Sequence, residues 1–465
     1  MTKFDPRTNT LEPSKINYEL QDVAEPNLFR DVFTYEDVPK AIFDHRHVAY
    51  DMPQEIWITD TTFRDGQQSR APYTTAQIVE LYKKMHRLGG PKGLIRQCEF
   101  FLYSEWDREA LRKCMELGYE FPEITGWIRA TQNDFELAKS MHVKECGILT
   151  SCSDYHIFKK LKKTRKQAMD GYLTVIKEAL EAGIRPRCHF EDITRADYYG
   201  FVLPFALEIK KLSEESGIPI KIRACDTLGY GIPYPGTSLP RSVPGIIYGF
   251  KHLIGFPSEQ LEWHGHNDFY KSVINATSAW LFGASGVNCS LLGIGERTGN
   301  TPLEAMVIEY AQIRGTLDGM DTTVITEIAD YYRNELNTHI PHNTPFVGKN
   351  FNVTQAGIHA DGLLKDEEIY NIFDTKKLLK RPAGVAINQT SGLAGLAHWL
   401  NNFWDLTGDH AIGKNHPLVA ELKTWVDQQY TARRVTAISD VELEEVLKEL
   451  TDKYPEYHPH NGNGK

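Results

Sequence analysis

No apolar stretch in the 465-residue chain approaches the ~20 residues that a bilayer-spanning helix needs, and Met1-Thr2-Lys3-Phe4-Asp5-Pro6 has no apolar signal core. The chain therefore reads as neither membrane-inserted nor exported. Cysteine is sparse: the seven, at 98, 114, 146, 152, 188, 225 and 289, are odd in number and never in a CxxC spacing, which argues against a disulfide framework and a thiolate zinc site. That usage fits a reducing cytoplasm. Long basic runs are missing too. The densest, Lys159-Lys160-Leu161-Lys162-Lys163, reads as a solvated helix face, and 52 basic against 62 acidic residues leave a net charge of −10, so nucleic acid is not an expected partner. No GxGxxG follows the first strand-like run, which disfavours the dinucleotide-binding open sheet.

What is present is a regular alternation. Residues 1–50 are polar, punctuated by Pro6, Pro13, Pro26 and Pro39, and read as an N-terminal arm packed on something larger. From Ile56, eight short apolar runs begin near residues 56, 95, 123, 145, 186, 220, 261 and 286, each followed by an amphipathic helical stretch. Eight strand–helix units in about 260 residues predict an α/β fold, a closed (β/α)₈ TIM barrel over 51–317, with chemistry at the C-terminal strand ends. Past Gly315 the alternation stops, and 318–465 reads as a mainly helical accessory region. The Gly- and Asn-rich tail, with His458 and His460, has the composition of a disordered end.

The chemistry-bearing residues fall at the predicted strand ends. His264-Gly265-His266-Asn267-Asp268 ends the seventh strand, and residues two apart on a strand share a face, so both imidazoles can aim at one ion. Taken alone, such a pair is more often two ordinary polar histidines. The first strand, however, ends in Asp60-Thr61-Thr62-Phe63-Arg64-Asp65-Gly66-Gln67-Gln68. In a barrel, strands one and seven lie two places apart, so Asp65 can join His264 and His266 around a divalent metal with positions left open for substrate.

The sequences DTTFRDGQQ at 60–68, HGHND at 264–268 and GIGERTGN at 293–300 resemble the three signatures of the metal-dependent acyltransferases and lyases that share an Asp-Arg-Glu-type barrel. That family includes isopropylmalate, homocitrate and citramalate synthases, and the resemblance covers roughly residues 55–400. It implies Asp65, His264 and His266 as ligands of Mn, Zn, Co or Mg, with Asn300 as a further ligand or a residue supporting them. It also implies Arg64 beside the substrate carbonyl oxygen, stabilising the alkoxide formed there. The loop 293–300 lacks the reactive cysteine of the lyase branch, so condensation is favoured over cleavage. Gln355-Ala356-Gly357-Ile358-His359-Ala360-Asp361-Gly362 is similar to a family segment whose histidine comes from the partner subunit of a homodimer and helps deprotonate acetyl-CoA, together with an acidic residue on strand five. The matching positions are His359 and Glu191; Tyr331, Tyr332 and Tyr370 are candidates for an assisting tyrosine.

The co-substrate implied is a 2-oxo acid, with Gln68, Arg187, His189 and Thr227 as its expected contacts. Arg187, four residues before Glu191, matches the homocitrate synthase arginine that binds a distal carboxylate, against the alternative of a barrel-bottom ion pair. It implies a dicarboxylate, oxaloacetate or 2-oxoglutarate, which differ by one methylene. The bulk of His189 and of the segment 96–101 favours the shorter acid. Residues 88–104, 151–170 and 185–206 are most similar to the family's Re-face citrate-forming branch, which joins acetyl-CoA to oxaloacetate. Homocitrate-type and isopropylmalate-type synthases, a lyase and a non-catalytic dicarboxylate sensor are the alternatives.

Overall fold

The computed structural model describes residues 3–5, 10–12, 18–44, 46–355 and 357–453; His458 and His460 lie outside them. The strands β1 (Trp57–Asp60), β2 (Ile95–Phe101), β3 (Glu123–Arg129), β4 (Glu145–Ser151), β5 (Arg185–Glu191), β6 (Lys221–Asp226), β7 (Leu261–Gly265) and β8 (Gly286–Cys289) form a closed barrel. All eight pairings are parallel, and β8 closes the ring between β7 and β1. The expected strand starting at Gly286 stops at Cys289, because Leu292 turns into the left-handed region at φ 57° inside a short 3₁₀ turn.

Around the strands lie α1 (Thr75–Gly89), α2 (Glu105–Met115), α3 (Gln132–Ser140), α4 (Arg165–Glu181), α5 (Leu203–Ser216), α6 (Val243–Tyr248), α7 (Ser272–Leu281) and α8 (Leu303–Arg314). Local sequence sets their starts: α1, α2 and α4 each open on a reciprocal capping box, Thr74/Gln77, Ser104/Asp107 and Thr164/Gln167. The arm lies across loops that follow β4, β5 and β6. Asn27 N–H donates to Asp154, and Arg165 and Arg241 donate to the carbonyls of Gln21 and Pro39.

Barrel interiors are usually apolar layers; this one is ionic. Glu99 of β2 receives Arg187 of β5 and Arg223 of β6 from across the barrel, Glu145 of β4 receives Arg187, and Glu262 of β7 receives Arg223. All five side chains are buried. Buried charges persist only when paired and hydrogen-bonded, and here each is. The seven cysteines are buried and free, and no helix among the described residues is long and apolar enough to cross a membrane.

The chain divides into two compact units, Met1–Asp321 and Thr322–Lys465. The second is mainly helical. Its core gathers Leu396, Trp399, Leu400, Leu418, Leu422 and Leu447, beside a short parallel pair, Val353–Thr354 with Gly384–Val385.

Candidate active site

β7 ends on His264 and Gly265, and His266 follows in a bridge with Asn300, so both imidazoles reach the C-terminal mouth of the barrel. Their Nε2 atoms face each other at 3.3 Å, and Asp65 Oδ2 lies 3.9 Å from the first and 3.6 Å from the second. Ligand-type atoms of Asp65, His264 and His266 all fall within 4.8 Å of one another, and this is the one such cluster found among the described residues. Burial pushes the His264 pKa down to about 3 and lowers that of His266. Asp65 is shifted the other way: burial opposes ionisation, but the Arg64 charge and the two imidazoles hold its carboxyl well below the usual range. The trio thus offers two neutral imidazoles and one carboxylate at neutral pH, the protonation that a divalent cation requires.

The neighbours fit a cation as well. Asn300 Nδ2 donates to Asp65 Oδ2 at 2.8 Å, leaving its buried Oδ1 without a hydrogen-bond partner, as is His266 Nδ1. Orphaned buried polar atoms are costly and call for a ligand or ion. The loop 293–300 holds Asn300 by close approach: a Cβ on Gly295 would lie 2.7 Å from its amide, and Gly299 adopts φ 93°, where a side chain would strike the carbonyl of Gly293.

A cleft of about 280 Å³ opens over the trio. Arg64, His189, Glu191 and Thr227 line it, and exposed Gln68 stands at its rim. Arg64 is fixed at two points, donating from Nε to Glu99 at 2.7 Å and from Nη1 to Asp65 at 2.8 Å. Glu191 accepts the Ser151 hydroxyl and is 16% exposed. Thr227 Oγ1 receives the Asp192 N–H at 2.8 Å.

Arg187 requires a correction. Its side chain is 0% exposed, lies below the cleft and is saturated by Glu99 at 2.5 Å, Glu145 at 2.8 Å, Gln97 at 3.1 Å and Thr125 at 3.2 Å. It has the inward direction expected of it but sits one layer too deep to clamp a substrate carboxylate. It bears on the cleft through His189, 3.4 Å from its Nε, and through Glu99, which it shares with Arg64. The His189 ring in turn fills the space above Gly147, where a Cβ would come within 2.6 Å of its Nε2. His359 belongs to the second unit, on the helix Gly357–Lys365, where its exposed ring packs against Tyr370 with centroids 4.4 Å apart.

Two residues escaped the sequence reading. Glu99 binds Arg64, Arg187 and Arg223 together. Asn288 of β8 joins the His264 imidazole to β1: its Oδ1 is 2.8 Å from His264 Nδ1 while its Nδ2 donates to Thr59 Oγ1 at 2.9 Å. That contact directs the His264 Nε2 lone pair toward the trio. In both cases the available signal is a polar residue on the inward register of a barrel strand.

A model of the HMGL-like family matches residues 55–331. The citrate (Re)-synthase of Clostridium kluyveri is 56% identical over 444 residues, which span 95% of this chain and 98% of that protein. The citrate (Re)-synthase of Syntrophus aciditrophicus is also 56% identical, over 96% of this chain and 71% of its own length. The 2-phosphinomethylmalate synthase of Streptomyces hygroscopicus is 37% identical over 92% of this chain and 97% of its own.

Proposed function

The chain belongs to the HMGL-like family, and on that premise we propose that it condenses acetyl-CoA with oxaloacetate and hydrolyses the resulting thioester, giving citrate and CoA with Re-face selectivity. The observation that carries this reading is 56% identity to two citrate (Re)-synthases along nearly the whole chain. The buried trio and the fixed Arg64 supply the means.

Asp65, His264 and His266, supported by Asn300, would hold a divalent cation, which when bound would supply Lewis-acid polarisation of the 2-oxo group. Arg64, anchored through Nε and Nη1, keeps Nη2 for the oxygen on which negative charge develops. Thr227 stands at the cleft wall for the acid's own C1 carboxylate. The second carboxylate would meet other cations of the cleft wall, which carries Arg129, Lys160 and Arg297, instead of Arg187. His189, seated on Gly147, shortens the floor and disfavours the extra methylene of 2-oxoglutarate. Glu191 and His359 take part in removing the methyl proton of acetyl-CoA, with His359 delivered by the partner subunit of a homodimer.

Metal-loaded protein with acetyl-CoA and oxaloacetate should release free thiol, and 2-oxoglutarate or 2-oxoisovalerate should not. Labelled acetyl-CoA then reports the face attacked. Thiol release with 2-oxoglutarate and none with oxaloacetate would replace this reading by a homocitrate-type one. Chelator should abolish the parent's activity, and a fully active His264→Ala variant would sink the metal assignment.

A further inference from the structure

Behind the cleft wall lies an imidazole that the reading above does not use. His156 sits on the wide-turn helix Tyr155–Lys160 after β4. Its Nδ1 is 3.0 Å from Glu191 Oε2, and its Nε2 is 3.7 Å from Asp192 Oδ2. The ring therefore stands between the last carboxylate of β5 and the next one along the chain.

Asp192 and the start of the helix that carries His156 are each separately pinned. Asp192 is buried in the left-handed region at φ 64°, accepts from the Ser153 hydroxyl and from Arg195 at 2.9 Å, and gives its own N–H to Thr227. The helix carrying His156 begins after Asp154, which receives Arg165 through two bonds of 2.9 and 2.7 Å and the N–H of Asn27 at 2.7 Å. A non-glycine residue held at positive φ persists only where the surroundings over-determine it.

The consequence falls on Glu191. Rotation of a carboxylate about its last bond is soft, so a free Glu191 would present its oxygens over a broad range. Here Oε2 takes the Ser151 hydroxyl and faces His156, whereas Oε1 is 3.6 Å from Lys160, a residue of the cleft wall. We propose that His156 is a positioning residue of the condensation: wedged between Glu191 and Asp192, it confines Oε2 so that Oε1 is the oxygen offered to the acetyl group. The inference rests on the reading of Glu191 as a group that acts on substrate. Electrostatics agree with it. Burial raises the Glu191 pKa, yet the neighbouring His156 and Ser151 side chains, with the charge of Lys160, bring it down to about 2.

A double-mutant cycle tests the proposal. His156→Ala should lower kcat on the order of 10- to 100-fold, with little change in the KM for oxaloacetate, and should add nothing when Glu191 is already Gln. His156→Gln, which keeps a donor for Oε2, should recover most of that loss. Because the Gln side chain also fills the site, the cycle can be closed with His156→Gln if the Ala variant does not fold. Multiplicative losses in the double variant would overturn the proposal, as would a Gln variant that folds yet is no better than Ala. An impaired Glu191→Gln beside a fully active His156→Ala would remove the role of His156 while leaving Glu191 its own. If Glu191→Gln is fully active, the reading of Glu191 falls and this proposal falls with it.

Discussion

At Glu99 one carboxylate meets Arg64, Arg187 and Arg223, and it is ionised although 1% exposed. Burial alone would protonate it; the three guanidinium charges win and hold it well below its usual pKa. Glu99→Gln keeps the shape and removes the charge, leaving two fully buried arginines short of a counter-ion. Breaking a buried pair in this way costs about 3–5 kcal/mol, so denaturant unfolding should show a loss of that order and turnover should fall as Arg64 loses its Nε anchor. An unchanged midpoint would mean that the arginines are satisfied without it. The residue was missed, and Arg187 misplaced, for one reason. Alternation along a strand tells which residues point inward, as it did for 187, 189 and 191, but carries no information on depth. Arg187 and His189 share a face, yet only the second reaches the cleft.

Among the elements, α8 and the loop 293–300 before it act together. Glu304, in the first turn of α8, is 6% exposed and accepts the N–H of Leu292, bracing the turn from which the loop departs. Burial raises its pKa to about 7, against hydrogen bonds from the N–H groups of Leu292 and of Glu304 itself that pull the other way. The sign follows. Between the unfolded value near 4.5 and the folded value near 7, the native state keeps a proton that the unfolded chain releases, so this residue's contribution to stability falls as pH rises through that window. Glu304→Gln retains an acceptor for Leu292 without the titration. The variant should gain on the parent by roughly 2–3 kcal/mol between pH 4 and pH 8, measured as the difference of two unfolding curves at each pH. A constant difference across that range would show that Glu304 does not titrate there. The elements themselves were legible: β3 begins at Glu123 as expected, and α1, α2 and α4 follow their strands and open on capping boxes, because capping boxes and alternating apolar positions are local signals. Asn288 was not, since its meaning depends on β8 closing between β7 and β1.

On the scale of the whole molecule, the two compact units divide the proposed chemistry: the metal trio, Arg64 and Glu191 belong to the first, His359 to the second. The proposal that a partner subunit delivers His359 predicts complementation. Mixing inactive His359→Ala and Arg64→Ala proteins under conditions of subunit exchange should restore activity toward a quarter of the parent's, roughly the share of sites that combine an intact barrel with an intact His359. No recovery, with exchange verified by mass, would assign the histidine to its own chain or the role to another base. Sequence by itself determined the count of strand–helix units and the placing of Asp65, His264 and His266 at strand ends, because both follow from period and spacing along the chain. Only the tertiary structure decided what each buried charge does. Partners such as Glu99 for Arg64, Glu145 for Arg187 and His156 for Glu191 come from different strands and loops, and barrel closure, with the depth at which each side chain enters, selects among them.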